Sequence, residues 1–312
     1  MTGETLHGQK NDYILLDRKG SKGKYGGVWV GTTADGNQKV TVKCMSKYGP
    51  SLPSLMQRLA GIDSPYVAKV LDTFVADDGC LYIVRQYVEG TDLKTLFTSK
   101  SQYRKIDERK FIDAGKSVLK ALIQTHEAGI VHRDVKPSNV IIQHLPGQNP
   151  VEADFAQAVL IDYEQCSPYP DTSGVRSSFA LVYSPPEMLL KYNSLVGPWS
   201  DLFALSVMLF QLIMGKAPYT DCNPEILVNL QLTYPMKQPV RMADDLFGVL
   251  SHAAYKHPFR LPPRRLSPDE IEQTLRQGVE GRYQSAADML ADLEKVGEPF
   301  KKTSWINRIF NG

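Results

Sequence analysis

One octapeptide constrains this chain more than any other stretch: His132-Arg133-Asp134-Val135-Lys136-Pro137-Ser138-Asn139. It follows a run, Phe111 to Glu127, in which Phe111, Ile112, Val118, Leu119, Leu122 and Ile123 repeat with helical periodicity. Gly129 closes that helix. Two short apolar runs beyond it, Asn139 to Ile142 and Ala158 to Ile161, read as paired strands, with Gln143 to Gln157 as an insertion between them. The octapeptide is therefore a polar loop held by rigid neighbours. A carboxylate, an ammonium and a carboxamide fall within six residues of it. That set suits phosphoryl transfer: Asp134 can accept a hydroxyl proton, Lys136 can neutralise charge on the transferred group, and Asn139 can ligate Mg²⁺.

Ahead of the loop the chain reads as strands: Tyr13 to Leu16, Gly27 to Thr32, Lys39 to Cys44, Val67 to Phe74 and Leu81 to Tyr87. Asp35-Gly36 and Asp77-Asp78-Gly79 supply turns, and Ser54 to Leu59 is a helical stretch among them. From Asp201 onward helical patterns dominate, including Leu202 to Met214 and Ser285 to Val296. The order is a β-rich lobe, a hinge near Tyr87 and a helical lobe, an α+β architecture. With 42% hydrophobic and 22% charged residues, wholesale disorder is excluded. A net charge of +2 gives no footprint for nucleic acid or an anionic membrane. Cys44, Cys80, Cys166 and Cys222 are scattered without a CxxC pair, which argues against a disulfide framework or zinc site and for the reducing cytoplasm. Met1 to Asp12 lacks the apolar run of a secretory signal, and Leu202 to Met214 is too short to form a transmembrane segment.

In order and spacing, these residues resemble the eukaryotic-like serine/threonine protein kinases from about Tyr13 to Val296. Lys136 after Asp134 resembles the serine/threonine branch, and Tyr87-Val88-Glu89-Gly90 with Gly281-Arg282-Tyr283-Gln284-Ser285-Ala286 resembles bacterial members. The resemblance implies a bilobal fold with a small β-rich N-lobe over 13–88 and a larger helical C-lobe over 89–298. An N-terminal tail over 1–12 and an amphipathic C-terminal tail over 299–312 flank them, the latter repeating Trp305, Ile306, Ile309 and Phe310 at helical spacing. It implies ATP and Mg²⁺ as cofactors. Ser21-Lys22-Gly23-Lys24-Tyr25-Gly26-Gly27-Val28 fits the phosphate-covering loop, with Ser21 in place of its first glycine and Gly23 and Gly26 admitting the phosphates. Val28 and Thr41 would enclose adenine over a floor at Ile141, and the backbones of Gln86 and Val88 would hydrogen-bond it. Lys43 would hold the α- and β-phosphates, Asp162 and Asn139 the metal, while Asp134 and Lys136 form the catalytic pair. Glu187 of Pro185-Pro186-Glu187 would pair with Arg282, and Asp201 would anchor the loop backbone. Thr172, Ser173, Ser177 and Ser178 lie where a phosphate would pair with Arg133.

The pattern departs at positions that organise the active conformation. The helix glutamate of the family maps to Leu55, and Cys44 to Ile62 holds no Asp or Glu. Asp162-Tyr163-Glu164 keeps the metal ligand but loses the glycine, Arg85 is the gatekeeper, and Ala180 replaces a bridging threonine. Two arrangements are open for Lys43. Either Glu164 takes over part of the missing role, pairing with Lys43 or Arg85, or it points to solvent and Lys43 pairs with Asp162 alone. Loss of one positioning interaction of roughly 2–3 kcal/mol costs about two orders of magnitude in rate. The expected function is an atypical serine/threonine protein kinase, weak or partner-activated, acting on protein hydroxyls. A nucleotide-binding pseudokinase that works through a regulatory protein partner is the alternative. A small-molecule kinase is disfavoured by Lys136-Pro137 and Pro186-Glu187.

Overall fold

The computed structural model describes residues 3–23, 26–171 and 180–300. The β-branched and aromatic runs of the first third form six strands: β1 (Thr5–His7), β2 (Asp12–Gly23), β3 (Gly26–Thr33), β4 (Lys39–Met45), β5 (Val70–Val75) and β6 (Leu81–Gln86). They make one antiparallel sheet in the order β1-β2-β3-β4-β6-β5. Directly opposed residues share a face, so Val28 with Lys43, Val30 with Thr41, Thr41 with Arg85 and Lys43 with Ile83 build one surface. The opposite face carries Trp29, Val40, Val42 and Val84, which bury with Tyr13, Leu15 and Phe74. At Gly26 a Cβ would lie 1.7 Å from the Cys44 carbonyl oxygen, so glycine alone lets β3 close on β4 there.

The stretch expected as an N-terminal tail is partly built into this sheet. Thr5–His7 pairs with β2, and the Lys10 N–H donates to the buried carboxylate of Asp72 at 2.9 Å. An edge strand held by backbone bonds leaves no apolar alternation to read in a polar sequence. Between β4 and β5 lies one short helix, α1 (Leu52–Ala60), whose Leu52, Leu55, Met56 and Leu59 are buried.

The second lobe follows the hinge. It contains β7 (Gly90–Asp92), α2 (Leu93–Thr98), α3 (Lys100–Tyr103), α4 (Glu108–Glu127), β8 (Ile130–Val131), β9 (Val140–Gln143), β10 (Ala158–Leu160) and β11 (Ser167–Pro168). Then come α5 (Pro186–Leu189), α6 (Pro198–Met214), α7 (Pro224–Thr233), α8 (Asp244–Ala253), α9 (Pro268–Glu280) and α10 (Ala286–Lys295). The expected α+β bilobal architecture, a β-rich lobe and a helical lobe, is present. Helices α4 and α6 supply its central core, and α6 is apolar around most of its circumference because it is covered on all sides. Strands β10, β9 and β7 form one small sheet and β11 with β8 another, and between them they hold the polar loop. The insertion after β9 is pinned to α4, with Phe155 edge-on to Phe111 and the Lys110 ammonium donating to the Val151 carbonyl at 2.8 Å. Among the described residues no helix is long and apolar enough to cross a membrane. Of the expected C-terminal tail, Phe300 bridges to Met242 and lies under the Arg241 guanidinium, whereas residues 301–312 fall outside the described residues.

Candidate active site

The octapeptide loop is fixed by its backbone. Asp201, 1% exposed in the first turn of α6, accepts the N–H groups of His132 and Arg133, each at 2.8 Å, and also meets His126 Nε2 at 2.9 Å. The Asp134 N–H donates to His132 Nδ1 at 3.2 Å, which leaves Nε2 to donate to the Ile161 carbonyl at 3.1 Å. Arg133 takes a left-handed backbone at φ 66°, a strained conformation for a residue with a side chain, sustained by those bonds. The expected anchoring by Asp201 is therefore present.

The pair expected to be catalytic, Asp134 and Lys136, converges with the carboxamide of Asn139. Lys136 Nζ stands 2.5 Å from Asp134 Oδ2, and Asn139 Nδ2 donates to the same oxygen at 3.0 Å and to the Asp134 carbonyl at 2.9 Å. Strand pairing brings the metal candidate alongside: Val140 faces Leu160, and the Ile161 N–H donates to the Asn139 carbonyl at 2.9 Å. Asp162 follows at φ 74°, a second left-handed residue that turns the chain into a 3₁₀ turn over Tyr163–Gln165. Tyr163 goes inward onto the His132 ring, 4.4 Å between centroids.

Lys43 is held by two carboxylates from that turn. Its ammonium pairs with Glu164 and lies 3.7 Å from Asp162 Oδ1. Of the two arrangements open to Lys43, the one that sends Glu164 to solvent is excluded, since the Glu164 side chain is only 12% exposed. Burial pushes the Lys43 amine below its usual value; Asp162 opposes this, while Arg85 and Lys136 reinforce it. Burial likewise lowers the Arg85 guanidinium, opposed by Asp162.

Behind these groups is a cavity enclosing about 340 Å³ of empty space, part of it open to solvent. Its polar wall is Lys43, Arg85, Asp162 and Glu164, and Met56 and Leu59 of α1 form part of its apolar wall. The α1 position to which the family's glutamate maps, Leu55, carries no charge and does not line this cavity. Leu55 is fully buried in the core, and Met56 and Leu59 are the α1 side chains that line this cavity together with Lys43. A linear alignment leaves the rotation of a nine-residue helix undetermined, and one residue turns it by about 100°.

The remaining candidates fall around the cleft. Val88 and Ile141, the latter expected as the adenine floor, pack on Ala68, Val159 and Ile161. Gln86 ends β6, and the Val88 N–H takes no backbone partner among the described residues. Val28 and Thr41 share the Lys43 face across β3 and β4. Ser21 and Gly23 lie in β2 and Gly26 in β3, whereas Lys24 and Tyr25 between them are outside the described residues. Ala180 lines a separate pocket with Arg133, Asp134 and Tyr183, and offers no hydroxyl to it. Away from the chemistry, Glu187 and Arg282 form the expected ion pair at 2.8 Å, completed by Ser200 Oγ and the Tyr255 carbonyl.

Sequence reading missed Asp171. It meets the Arg133 guanidinium at 3.1 Å, where a phosphate was expected, and Asn193 accepts from the same group at 3.2 Å. The one available signal was the need of a buried arginine for a carboxylate.

Residues 17–259 match the family described as Protein kinase domain. The chain belongs to that family. This kinase domain is 28% identical over 271 residues to the serine/threonine-protein kinase PkaB of Streptomyces coelicolor, covering 82% of this chain and 60% of the relative. It is 28% identical over 246 residues to a probable serine/threonine-protein kinase of Clostridium perfringens (76% and 30%) and 29% over 243 residues to PrkC of Bacillus subtilis (76% and 32%). The kinase domain thus spans between about a third and three fifths of the curated relatives it matches.

Proposed function

We propose that this chain is a serine/threonine protein kinase that transfers the γ-phosphate of Mg-ATP to hydroxyl groups of a protein substrate. The observation that carries the reading is the Asp134 carboxylate. It is gripped by Lys136 and Asn139 on a loop whose backbone Asp201 fixes. The names of its relatives as serine/threonine kinases support the same substrate class. A cytoplasmic setting belongs to this reading, in keeping with four cysteines that form no disulfide.

The residues present suit the cofactors. No group of three His, Cys, Asp or Glu side chains capable of caging a metal occurs among the described residues. Mg²⁺ is ordinarily held by one or two protein oxygens together with substrate phosphates, which is what Asp162 and Asn139 can offer. Asn139 spends its amide hydrogens on Asp134, which leaves its oxygen, approached by Ser138 Oγ at 3.4 Å, as the atom that would ligate a cation. An open Val88 N–H beside the apolar cluster of Ile141 and Val159 suits a purine edge. Bound Mg-ATP supplies an activated phosphoryl group with its charge partly neutralised. Asp134 orients the substrate hydroxyl and takes its proton, with Lys136 alongside to counter developing negative charge. Lys43 would hold the phosphates, and the apolar floor at Ile141 would exclude water from the base.

Labelled Mg-ATP with a basic protein substrate tests this, run beside Asp134→Asn. Transfer that disappears in the variant supports the kinase. Absent transfer in both, with Mg-ATP still raising the unfolding temperature, supports the pseudokinase reading that Ala180 and Arg85 keep alive.

A further inference from the structure

A lysine that must hold phosphates in a half-buried cleft needs a carboxylate to keep it charged and aimed. The helix that would supply one cannot do so here. All residues of α1 are uncharged except Arg58, and its cavity-facing side chains are Met56 and Leu59. Four buried apolar residues tie α1 to the core. The required charge arrives from the other side of the cleft. The left-handed turn at Asp162 sends Tyr163 into the core and brings Glu164 back across the cavity to the Lys43 ammonium. Asp162 keeps a longer 3.7 Å approach to the same ammonium, with 31% of its side chain exposed toward the cleft.

We propose that Glu164 is the positioning residue for Lys43. In this kinase domain the lysine–carboxylate contact is made by the segment that carries the metal ligand, not by α1. The proposal rests on the kinase reading above and deepens it. Its consequence is that the expected metal ligand and the lysine's closest carboxylate sit on one short segment, Asp162 to Gln165, so that displacing it would remove both at once.

The test compares the full chain with Glu164→Gln, Glu164→Asp, Glu164→Gly and the double variant Glu164→Gly/Met56→Glu. Calorimetric Mg-ATP affinity, kcat and KM for ATP, and the unfolding midpoint without nucleotide are read for each. Glu164→Gln is expected to lose roughly 10- to 100-fold in kcat/KM. Its affinity for Mg-ATP falls with it, while Glu164→Asp retains part of both. The double variant, which restores a carboxylate beside Lys43 from α1, is expected to recover affinity and rate relative to Glu164→Gly. A merely structural role would lower the unfolding midpoint and would not be rescued from Met56. Unchanged affinity and kinetics in Glu164→Gln, or faster turnover in Glu164→Gly, overturns the proposal, the latter making Glu164 a brake. If the parent chain transfers no phosphate but binds Mg-ATP, the kinase reading fails while the affinities still decide the role of Glu164. A parent chain that binds no Mg-ATP overturns both.

Discussion

The Arg133 guanidinium donates to the Asp171 carboxylate at 3.1 Å, with the two side chains only 4% and 2% exposed. This arginine adjoins Asp134, and it is the cation that a phosphate on Thr172, Ser173, Ser177 or Ser178 was expected to meet. Those four residues lie outside the described residues, but the charge beside the catalytic loop is already answered by the chain's own acid. Phosphatase-treated protein, verified by intact mass, is therefore expected to keep its transfer rate. A clear fall in rate on removing phosphate from any of the four would sink this. Asp171→Ala strands a buried guanidinium and is expected to cost about 3–5 kcal/mol, read by calorimetric unfolding.

The Glu187–Arg282 pair offers a second stability test. Both side chains are at most 1% exposed, and Ser200 and the Tyr255 carbonyl satisfy them further. Arg282→Met removes one partner and leaves the carboxylate buried, with an expected loss of about 3–5 kcal/mol. At roughly 2–4 °C per kcal/mol for a domain of this size, the midpoint falls by about 10 °C. A shift within a degree or two would show that the pair is not the clamp its geometry suggests.

Asp201 tests the loop separately from its chemistry. Asp201→Asn replaces one of the two oxygens that accept from the His132 and Arg133 N–H groups with an amide donor. The Asp134 carboxylate is then misplaced, and kcat is expected to fall by about 100-fold with little change in KM for ATP. Steady-state kinetics separates this from a binding defect, in which KM would rise instead.

Metal dependence centres on Asp162. Ligand at 100 times its dissociation constant stabilises a fold by about 2.7 kcal/mol. Asp162→Ala is expected to abolish the Mg-ATP-induced rise in unfolding temperature, as is chelation of Mg²⁺ in the parent chain. An undiminished rise in the variant would remove Asp162 from the site.

A pH effect follows from Lys256, whose ammonium donates to the Gln231 carbonyl at 2.8 Å over the Tyr219 ring. Burial first, and the Arg282 charge second, push its pKa from 10.5 down to about 7. Between those values the unfolded chain holds a proton that the folded chain has released, so stability rises with pH across that interval. Below about pH 7 both states are protonated and the cost of burying the charge is fully present. Lys256→Met is therefore expected to unfold at a higher temperature than the parent at pH 6.5, with the gap narrowing by pH 9. A gap independent of pH would show that Lys256 does not titrate in this range.

How much of this was legible in the sequence depended on how local each contact is. The catalytic loop could be read because Asp134, Lys136 and Asn139 are neighbours in the chain, and their convergence needs only a short turn. The strands were legible because their turns and alternation are written in adjacent residues. Asp171 was not, since its partner is 38 residues away and neither periodicity nor a turn signal marks it. The pairing of Thr5–His7 depends on backbone bonds that any polar sequence can make. That Met56 and Leu59, rather than Leu55, line the cavity was not legible, because spacing fixes where a helix lies but not which way it is rotated.

Helix α1 packs one face of its nine residues, and its buried Leu52, Leu55, Met56 and Leu59 carry no charge to any ligand. With the carboxylate supplied from elsewhere, these four positions answer only to volume. At Leu52 and Leu55, which do not line the cavity, leucine, methionine and isoleucine should exchange at a cost of under about 1.5 kcal/mol each, leaving nucleotide affinity untouched. A helix that must also aim an acid is constrained twice, and this one is constrained only by the burial of its apolar face. The Asp162–Gln165 turn, by contrast, has almost no room to drift.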